Sequence, residues 1–373
     1  YDIITQQARP GQNLGGLKNF RGENMQISIG IAAYNEEKHL PRLFKDLCAQ
    51  DYPKNEIELI FADGCSSDAT RSMLESFAQE ENGFRRILIL ENKKVWQASA
   101  HNLIIENFTG DALIKVDAHA SLPADFISAC ARRLEQEAVC GGPRPCITDS
   151  DSPARRLLLT AETSMFGSGF AIYRRADKPG YVSSIFHIAC RREVFLKTGG
   201  YNEALRRTED NEFSFRLRQN GYKICCDPQI RSYQLIRPTL KGMLKQKAGN
   251  GYWIGLTLGV CPGCVSLFHL VPAAFVLGII LTAVLAALGV IWPVLAMWGA
   301  YLAVDILMSV TAVKGKPFYM LELCLPVLFL MLHVAYGLGT LWGMLSVPFK
   351  AGKCRRCDSA QRVKNALNSK KQF

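Results

Sequence analysis

Apolar and polar residues alternate in a regular rhythm along the first part of the chain. Four short runs are apolar and rich in β-branched residues, which predicts buried strands at 27–33, 57–62, 87–90 and 112–116. Between them, apolar side chains recur every three or four positions, which predicts helices at 37–50, 67–80 and 97–107, the second capped by Ser66 or Ser67. Repeated strand and helix units predict an α/β, Rossmann-like fold, with a mostly parallel sheet and flanking helices.

The C-terminal part contains long apolar stretches instead. Residues 266–288 and 292–313 are each about long enough to cross the hydrocarbon core of a bilayer, which takes about 20 residues. The short link between them predicts a helical hairpin. A third stretch, 318–349, contains Glu322 and Pro326, and its sequence leaves open whether it crosses the membrane or re-enters it. The pattern therefore predicts a membrane region with two or three helices.

Charge is distributed as unevenly as hydropathy. Only four charged residues lie between Val260 and Phe349, whereas the tail from Lys350 holds eight basic residues and one acidic residue. A basic segment beside an apolar one is attracted to anionic lipid, so the tail predicts contact with membrane lipid. Positive charge favours the cytoplasmic side, so two crossings agree with a cytoplasmic N-terminal domain, while three would place the tail outside. Nucleic acid is disfavoured as a partner because the N-terminal domain has no basic stripe with interleaved aromatic residues.

The cysteines and the N-terminal residues indicate the cellular compartment of the N-terminal domain. The chain has 13 cysteines, scattered and partly within predicted core segments, so we expect reduced, buried thiols in a cytosolic domain. Two Cys-x-x-Cys pairs, at 261–264 and 354–357, lie on opposite sides of the apolar region, which disfavours a shared zinc site. Residues 1–25 are polar and rich in glycine, without an apolar leader.

Residues that could take part in binding or catalysis follow three of the predicted strands. Tyr34 and Glu36 come after the first strand, Asp63 after the second and Asp117 after the fourth. Ligands of parallel α/β sheets bind beyond the carboxyl ends of the strands. Any single aspartate at such a position is equally explained as a helix cap or a solvated turn. An aromatic ring and several carboxylates along one edge together favour a ligand site.

Four motifs occur in order: Ala33-Tyr34-Asn35-Glu36, Asp63-Gly64-Cys65-Ser66-Ser67-Asp68, Val116-Asp117-Ala118-His119 and Thr208-Glu209-Asp210. Their order and spacing over residues 26–250 resemble the family 2 glycosyltransferases of GT-A fold. The Asp-Ala-His motif and the appended apolar helices are most similar to exopolysaccharide β-glucosyltransferases of the succinoglycan type. The resemblance implies a nucleotide-sugar donor and a divalent cation, Mg²⁺ or Mn²⁺.

The resemblance also implies roles for these residues. Tyr34, Glu36 and Asp63 would bind the nucleoside, with the Tyr34 ring against uracil. Asp117 would hold the metal ion at the diphosphate. His119 stands where the family has a second aspartate, and it is open as a metal ligand, a phosphate donor or a mere neighbour. An imidazole nitrogen suits Mn²⁺ better than Mg²⁺.

Asp210 would be the general base that takes the proton of the acceptor hydroxyl. Without the other motifs, Glu209 and Asp210 would be explained as acidic residues that stabilise the first turn of a helix. The remaining candidates are Lys94 and Asn102 for the diphosphate or ribose, and Gly200, Tyr201 and Glu209 for the acceptor side. Residues 246–250 lack the Arg and Trp of the Gln-x-x-Arg-Trp motif of processive synthases, so we expect one sugar to be transferred per encounter.

Together these features predict inverting, non-processive transfer of a hexose, expected to be glucose, from a UDP-sugar to a hydroxyl of a lipid-linked oligosaccharide. The setting would be exopolysaccharide or cell-surface glycan synthesis at the bacterial inner membrane. Two alternatives stay open: a polyprenyl-phosphate sugar transferase, whose phosphate acceptor needs no base, and a non-catalytic, membrane-anchored nucleotide-binding scaffold. The expected domains are an extension at 1–25, a GT-A domain at 26–250, a membrane region at 251–349 and a basic tail at 350–373.

Overall fold

A computed structural model describes residues 24–167, 176–315, 317, 319–355 and 357–369 of the chain, without the side chains of 353–355. Most of the predicted extension at 1–25 and the end of the tail lie outside these residues. The strands are Ile27–Ala33 (β1), Ile57–Asp63 (β2), Arg86–Glu91 (β3), Ala112–Asp117 (β4), Ala120–Ser121 (β5), Val139–Gly141 (β6), Cys146–Ile147 (β7), Gly180–Val182 (β8), Ala189–Arg191 (β9), Ile224–Cys226 (β10) and Tyr233–Leu235 (β11). The helices are Leu40–Cys48 (α1), Thr70–Gln79 (α2), Gln97–Asn107 (α3), Phe126–Leu134 (α4), Pro153–Thr163 (α5), Arg192–Thr198 (α6), Glu209–Gln219 (α7), Leu240–Leu258 (α8), Val271–Ala287 (α9), Trp292–Val313 (α10), Leu325–Leu345 (α11), Val347–Arg355 (α12) and Asp358–Ser369 (α13).

The centre of the N-terminal domain is a mixed, mostly parallel sheet with strand order β3-β2-β1-β4-β9-β6-β10-β8. Strands β3, β2, β1 and β4 run parallel, and β9 pairs antiparallel with both β4 and β6. A smaller sheet has the order β5-β11-β7. The central strands are buried almost throughout because helices cover both faces, which is why they are continuous apolar runs in the sequence. The predicted α/β architecture is confirmed.

The register of the central strands brings their carboxyl ends to the same edge. Ala33 of β1 lies opposite Asp63 of β2, and Ala32 lies opposite Asp117 of β4. The residues that follow these strands therefore begin at one level of the sheet. This edge is where the sequence predicts the ligand site.

The start of α2 differs from the prediction. The helix begins at Thr70 without a side-chain cap from either serine. The Ser66 hydroxyl instead donates to Asp63 Oδ1 (2.6 Å), and the Ser67 N–H donates to Asn35 Oδ1 (2.9 Å). The serines therefore connect the loops after β1 and β2. At the start of α2, Asp68 Oδ1 accepts a hydrogen bond from the Thr70 N–H at 3.0 Å.

Within the part of the chain that the structure describes, three C-terminal helices are long and apolar enough to cross a membrane: Leu267–Ala287, Trp292–Val313 and Met320–Leu345. The third packs along α8 over most of its length. Glycines mediate this contact, because a Cβ at Gly251 or Gly255 would clash with backbone atoms of α11, and one at Gly339 or Gly343 would clash with α8. The two backbones therefore lie in direct contact.

The described part of the basic tail that follows α12 is folded against the N-terminal domain, and its contact with membrane lipid stays a prediction. Helix α13 packs on α3 and α6 and buries Val363 and Leu367. Arg362 forms ion pairs with Glu106 (3.2 Å) and Glu203 (2.7 Å). The amphipathic spacing of α13 provides an apolar face for this contact, while its charges are partly used in ion pairs.

The cysteines follow the prediction only in part. Cys130, Cys190 and Cys225 are buried free thiols. Cys65, expected in or beside the core, is exposed. The expectation of reduced cysteines is wrong for the first Cys-x-x-Cys pair, because Cys261 and Cys264 form a disulfide.

Candidate active site

A cavity of about 2290 Å³ lies where the N-terminal domain meets the C-terminal helices. At one end it is lined by the polar residues Asp117, His119, Arg144, Glu209 and Asp210. At the other end its lining is mostly apolar and comes from α9, α10 and α11, through Phe275, Met297, Tyr301, Leu332 and Tyr336. One continuous space therefore joins a group of carboxylates to helices that are able to cross a membrane.

Asp210 lies in the first turn of α7 and pairs with a buried lysine. Lys115 Nζ is 2.5 Å from Asp210 Oδ1, and its side chain is only 5% exposed. Lys115 precedes Asp117 by two positions in β4, so both side chains point to the same face of the sheet. Burial raises the pKa of Asp210 even though Lys115 opposes the shift. Burial opposes the charged form of Lys115, but the nearby carboxylates outweigh it and raise the pKa of the ammonium group.

Glu209 is buried beside the same pair. Within the described part of the chain its Oε2 atom has no hydrogen-bond partner. Burial, followed by repulsion from Asp210, raises the pKa of Glu209 to about 7. The carboxyl group therefore keeps its proton to near neutral pH, and this proton reduces the negative charge next to Asp210.

Asp117 is surrounded by donors from distant parts of the chain. Gln97 Nε2 donates to Oδ1 (3.0 Å), and Arg144 Nη2 is 2.7 Å from Oδ2. The Asp117 backbone N–H donates to Nε2 of His187 at 3.3 Å. Although burial opposes ionisation, Arg144 and His187 hold the pKa of Asp117 well below its usual range. Asp117 is therefore an anion that already faces a cation.

Asp117 and His119 are the residues that the sequence suggests as ligands of a divalent cation. Both line the cavity, with side chains 12% and 31% exposed. His119 Nδ1 also lies 3.2 Å from Glu36 Oε1. Among the residues that the structure describes, no group of three or more His, Cys, Asp or Glu is placed to hold a metal ion. The donor set thus fits a cation that takes its other ligands from a bound diphosphate, and that cation would compete with Arg144 for Asp117.

Tyr34 follows β1 and Asp63 is the last residue of β2, and neither is among the residues that line the cavity. The Tyr34 ring is half exposed and lies over Gly64, since a Cβ there would be 3.3 Å from Tyr34 Cδ2. Asp63 is buried and accepts from the N–H and hydroxyl of Ser66. The contact of Glu36 with His119 connects this edge to the cavity. The structure therefore brings Asp117 and Asp210 together directly, and places Tyr34 and Asp63 along the adjoining edge.

Three of the other sequence-derived candidates, Asn102, Gly200 and Tyr201, lie under α13. Asn102 is buried, donates to the Tyr201 carbonyl (2.9 Å) and accepts from the Tyr201 N–H (2.6 Å). Gly200 packs between Asn102 and α13, and the Tyr201 ring lies 5.5 Å from Lys115 Nζ. Lys94 is exposed and paired with Glu203 at 2.6 Å. None of these four lines the described cavity. Asn102 and Tyr201 instead support the loop behind Lys115.

Three residues around the carboxylates were not predicted from the sequence. Lys115 offered a signal, because it is a charged residue inside an apolar strand and two positions before Asp117. Arg144 and His187 offered none, since they lie far from the motifs along the chain. Only the packing of β6, β9 and β4 brings their segments next to Asp117.

The parallel half-sheet, the carboxylate at the end of β4 and the second carboxylate at the start of α7 define a class. This is the GT-A class of sugar transferases that use a nucleotide-linked donor. The sequence profile described as Glycosyl transferase family 2 matches residues 28–199. Residues 28–199 are therefore similar to this family, and the chain is a glycosyltransferase, as the motifs predict.

Relatives support the same assignment. The succinoglycan biosynthesis protein ExoA of Rhizobium meliloti (strain 1021) is 29% identical over 228 residues, which are 60% of this chain and 67% of that protein. A Methanococcus voltae enzyme, dolichyl N-acetyl-alpha-D-glucosaminyl phosphate 3-beta-D-2,3-diacetamido-2,3-dideoxy-beta-D-glucuronosyltransferase, is 28% identical over 271 residues, 69% of this chain and 82% of its own.

A solved structure extends the likeness in fold into the C-terminal region. The mannosyltransferase PcManGT of Pyrobaculum calidifontis, in complex with GDP-Man and Mn²⁺, has a TM-score of 0.58 at 17% identity. The match covers 86% of this chain and 88% of that chain. At this identity the likeness establishes the fold.

Proposed function

We propose that the chain transfers one hexose, with inversion, from a UDP-sugar to a hydroxyl group of a lipid-linked oligosaccharide, and that the hexose is glucose. One observation carries the proposal: Asp210, held by the buried Lys115, shares a cavity with Asp117, and this cavity continues between apolar helices. A sugar hydroxyl could reach the carboxylates while its lipid stays among the helices.

In this mechanism Asp210 accepts the proton of the acceptor hydroxyl. The hydroxyl oxygen bonds to the anomeric carbon as the bond from that carbon to the diphosphate breaks, so UDP leaves from the opposite side. Positioned proton transfer of this kind typically contributes about 10²–10⁴ in rate. Burial raises the pKa of Asp210, which makes the carboxylate a stronger base, and Lys115 fixes its position.

The leaving diphosphate needs positive charge. Asp117 and His119 would hold Mg²⁺ or Mn²⁺, with Mn²⁺ favoured by the imidazole nitrogen. When bound, such an ion neutralises charge that develops on the diphosphate oxygens. Arg144 lies at the same carboxylate and is a second source of positive charge in the cavity.

The nucleoside would bind along the adjoining edge. The half-exposed Tyr34 ring offers an aromatic face for uracil, and the carboxylates of Asp63 and Glu36 offer acceptors for the base and ribose. We keep Lys94 as a candidate only for the outer rim, because it is exposed and paired with Glu203.

The acceptor is proposed to be lipid-linked for two reasons. The apolar end of the cavity is built by α9, α10 and α11. In addition, the name of the Methanococcus voltae relative describes a dolichyl-linked sugar phosphate as its acceptor. A hydroxyl acceptor gives Asp210 a role that a lipid phosphate acceptor would not require.

We also propose that the chain crosses the bacterial inner membrane twice, with its catalytic domain in the cytoplasm. Helix α13 packs on the same domain that precedes the apolar helices, so the number of crossings between them must be even. The helices α9 and α10 would form the crossing hairpin. The third helix, α11, packs along α8 and would not cross fully.

A UDP-release assay with purified full-length protein tests the proposal. Wild type is incubated with a panel of UDP-sugars and a bacterial lipid extract, with and without chelator. We expect Asp210→Asn to lower lipid-dependent UDP release by about 10²–10⁴ while UDP affinity is retained. The matched control Asp51→Asn, at an exposed position outside the cavity lining, should behave as wild type.

The alternatives give different results in the same experiment. Near wild-type turnover by a folded Asp210→Asn variant would favour a polyprenyl-phosphate sugar transferase. Absence of UDP binding to wild type in calorimetric titration, with or without Mn²⁺, would favour a non-catalytic scaffold.

A further inference from the structure

We propose that Arg207 and Arg237 form a subsite for the diphosphate group that joins the acceptor's sugar to its lipid. The inference rests on the proposed function and names the chemical class of its acceptor, an isoprenoid diphosphate. Both arginines line the cavity, and Arg207 precedes Asp210 by three positions. The subsite would therefore lie next to the general base.

The two side chains carry positive charge that no ion pair among the described residues neutralises. Within the described ranges, no carboxylate forms an ion pair with either arginine, whereas Arg144 in the same cavity faces Asp117. Among the described residues, the Arg207 guanidinium donates to an amide oxygen, Asn250 Oδ1, at 3.0 Å. Burial, and then repulsion from Arg237, lowers the pKa of Arg207 although Glu209 opposes the shift, and both arginines line the same cavity. A bound dianion would relieve this repulsion.

The position of Arg207 is fixed by α8. A Cβ at Gly249 would lie 3.3 Å from Arg207 Nε, so the guanidinium lies against the backbone of that helix. Helix α8 in turn packs along α11, whose Leu332 and Tyr336 line the apolar part of the cavity. Arg207 thus lies between the carboxylates and the apolar helices, and Arg237 lines the same cavity.

This order matches the order of groups in the proposed acceptor. Its sugar hydroxyl would lie at Asp210, its diphosphate at the two arginines, and its isoprenoid chain between α9, α10 and α11. Both arginines are exposed to the cavity, and a guanidinium group binds phosphate oxygens through two parallel hydrogen bonds.

The nucleotide donor also carries a diphosphate, so the test must separate the two sources. Full-length protein in detergent is titrated with farnesyl diphosphate, a soluble isoprenoid diphosphate, with farnesol and with UDP, in separate calorimetric experiments. Wild type should bind farnesyl diphosphate at least tenfold more tightly than farnesol.

The variants Arg207→Gln and Arg237→Gln should each weaken farnesyl diphosphate binding by about tenfold or more and change UDP affinity by less than twofold. Arg237→Lys, which keeps the charge but not the planar fork, should give an intermediate loss. Arg231→Gln, at an exposed position outside the cavity lining, is the matched control and should leave both affinities unchanged.

Each other outcome overturns the inference. A loss of UDP affinity with unchanged farnesyl diphosphate binding would assign the arginines to the donor. Wild-type binding that does not distinguish the diphosphate from farnesol, or variants that bind both as wild type does, would leave no diphosphate subsite. UDP affinity also reports whether each variant is folded. Failure of the glycosyl transfer itself is seen separately, in UDP release by wild type and Asp210→Asn.

Discussion

Replacement of Glu209 by glutamine tests the buried proton beside the general base. The side chain is only 2% exposed, and its Oε2 atom has no hydrogen-bond partner among the described residues. Glutamine has nearly the same shape and carries no charge at any pH. The substitution therefore keeps the side chain at position 209 uncharged, which is the state that burial already favours.

The size of the effect follows from the pKa of Glu209, which is about 7 in the folded protein against 4.5 for an ordinary glutamate. Between these pH values the folded state keeps a proton that the unfolded chain has released, so the free energy of unfolding falls as pH rises and levels off above about 7. At about 1.4 kcal/mol per pKa unit, wild type should lose roughly 2–3 kcal/mol between about pH 5 and 8 through this group. Asp210, whose pKa is also raised, contributes with the same sign.

Urea unfolding in detergent, followed by tryptophan fluorescence at several pH values, measures the difference. Glu209→Gln should match wild type near pH 5 and exceed its free energy of unfolding by roughly 2–3 kcal/mol near pH 8. The control Glu193→Gln, at an exposed position in the first turn of α6, should show no such divergence. If the curves of wild type and Glu209→Gln stay parallel from pH 5 to 8, Glu209 does not hold a proton in the folded state and the reasoning is refuted.

Two further predictions concern Asp117 and the C-terminal helix. Arg144→Gln should raise Mn²⁺ affinity about tenfold, because the cation no longer competes with a guanidinium 2.7 Å from the carboxylate. Electron paramagnetic resonance of free Mn²⁺ measures this affinity. An unchanged affinity would contradict the proposed competition between Mn²⁺ and Arg144. Val363→Asp should detach α13, because removing a charge from water into this buried contact costs several kcal/mol. Limited proteolysis should then release the C-terminus, whereas Asn365→Asp on the exposed face should stay protected.

Local sequence determined the elements and the edge at which the site lies. Strand β1 and helix α3 match their predicted bounds, because β-branched runs and helical spacing are read from neighbouring residues. The carboxyl ends of parallel strands meet at one edge whatever the details of packing, so the places of Asp63 and Asp117 at that edge follow from the sequence alone. The lengths of the apolar stretches likewise fixed the candidate membrane helices.

Tertiary structure decided which groups meet at that edge. Lys115 and Asp210 are 95 positions apart, and their pairing depends on how α7 packs against β4. The same holds for Arg144 at Asp117 and for α13, whose Arg362 reaches Glu203 across 159 positions. Such contacts form because a buried charge needs a partner and an apolar face needs cover, and many segments of a chain can meet either need. The local sequence shows that a charge or an apolar face must be covered, and only the folded chain determines which residues cover it.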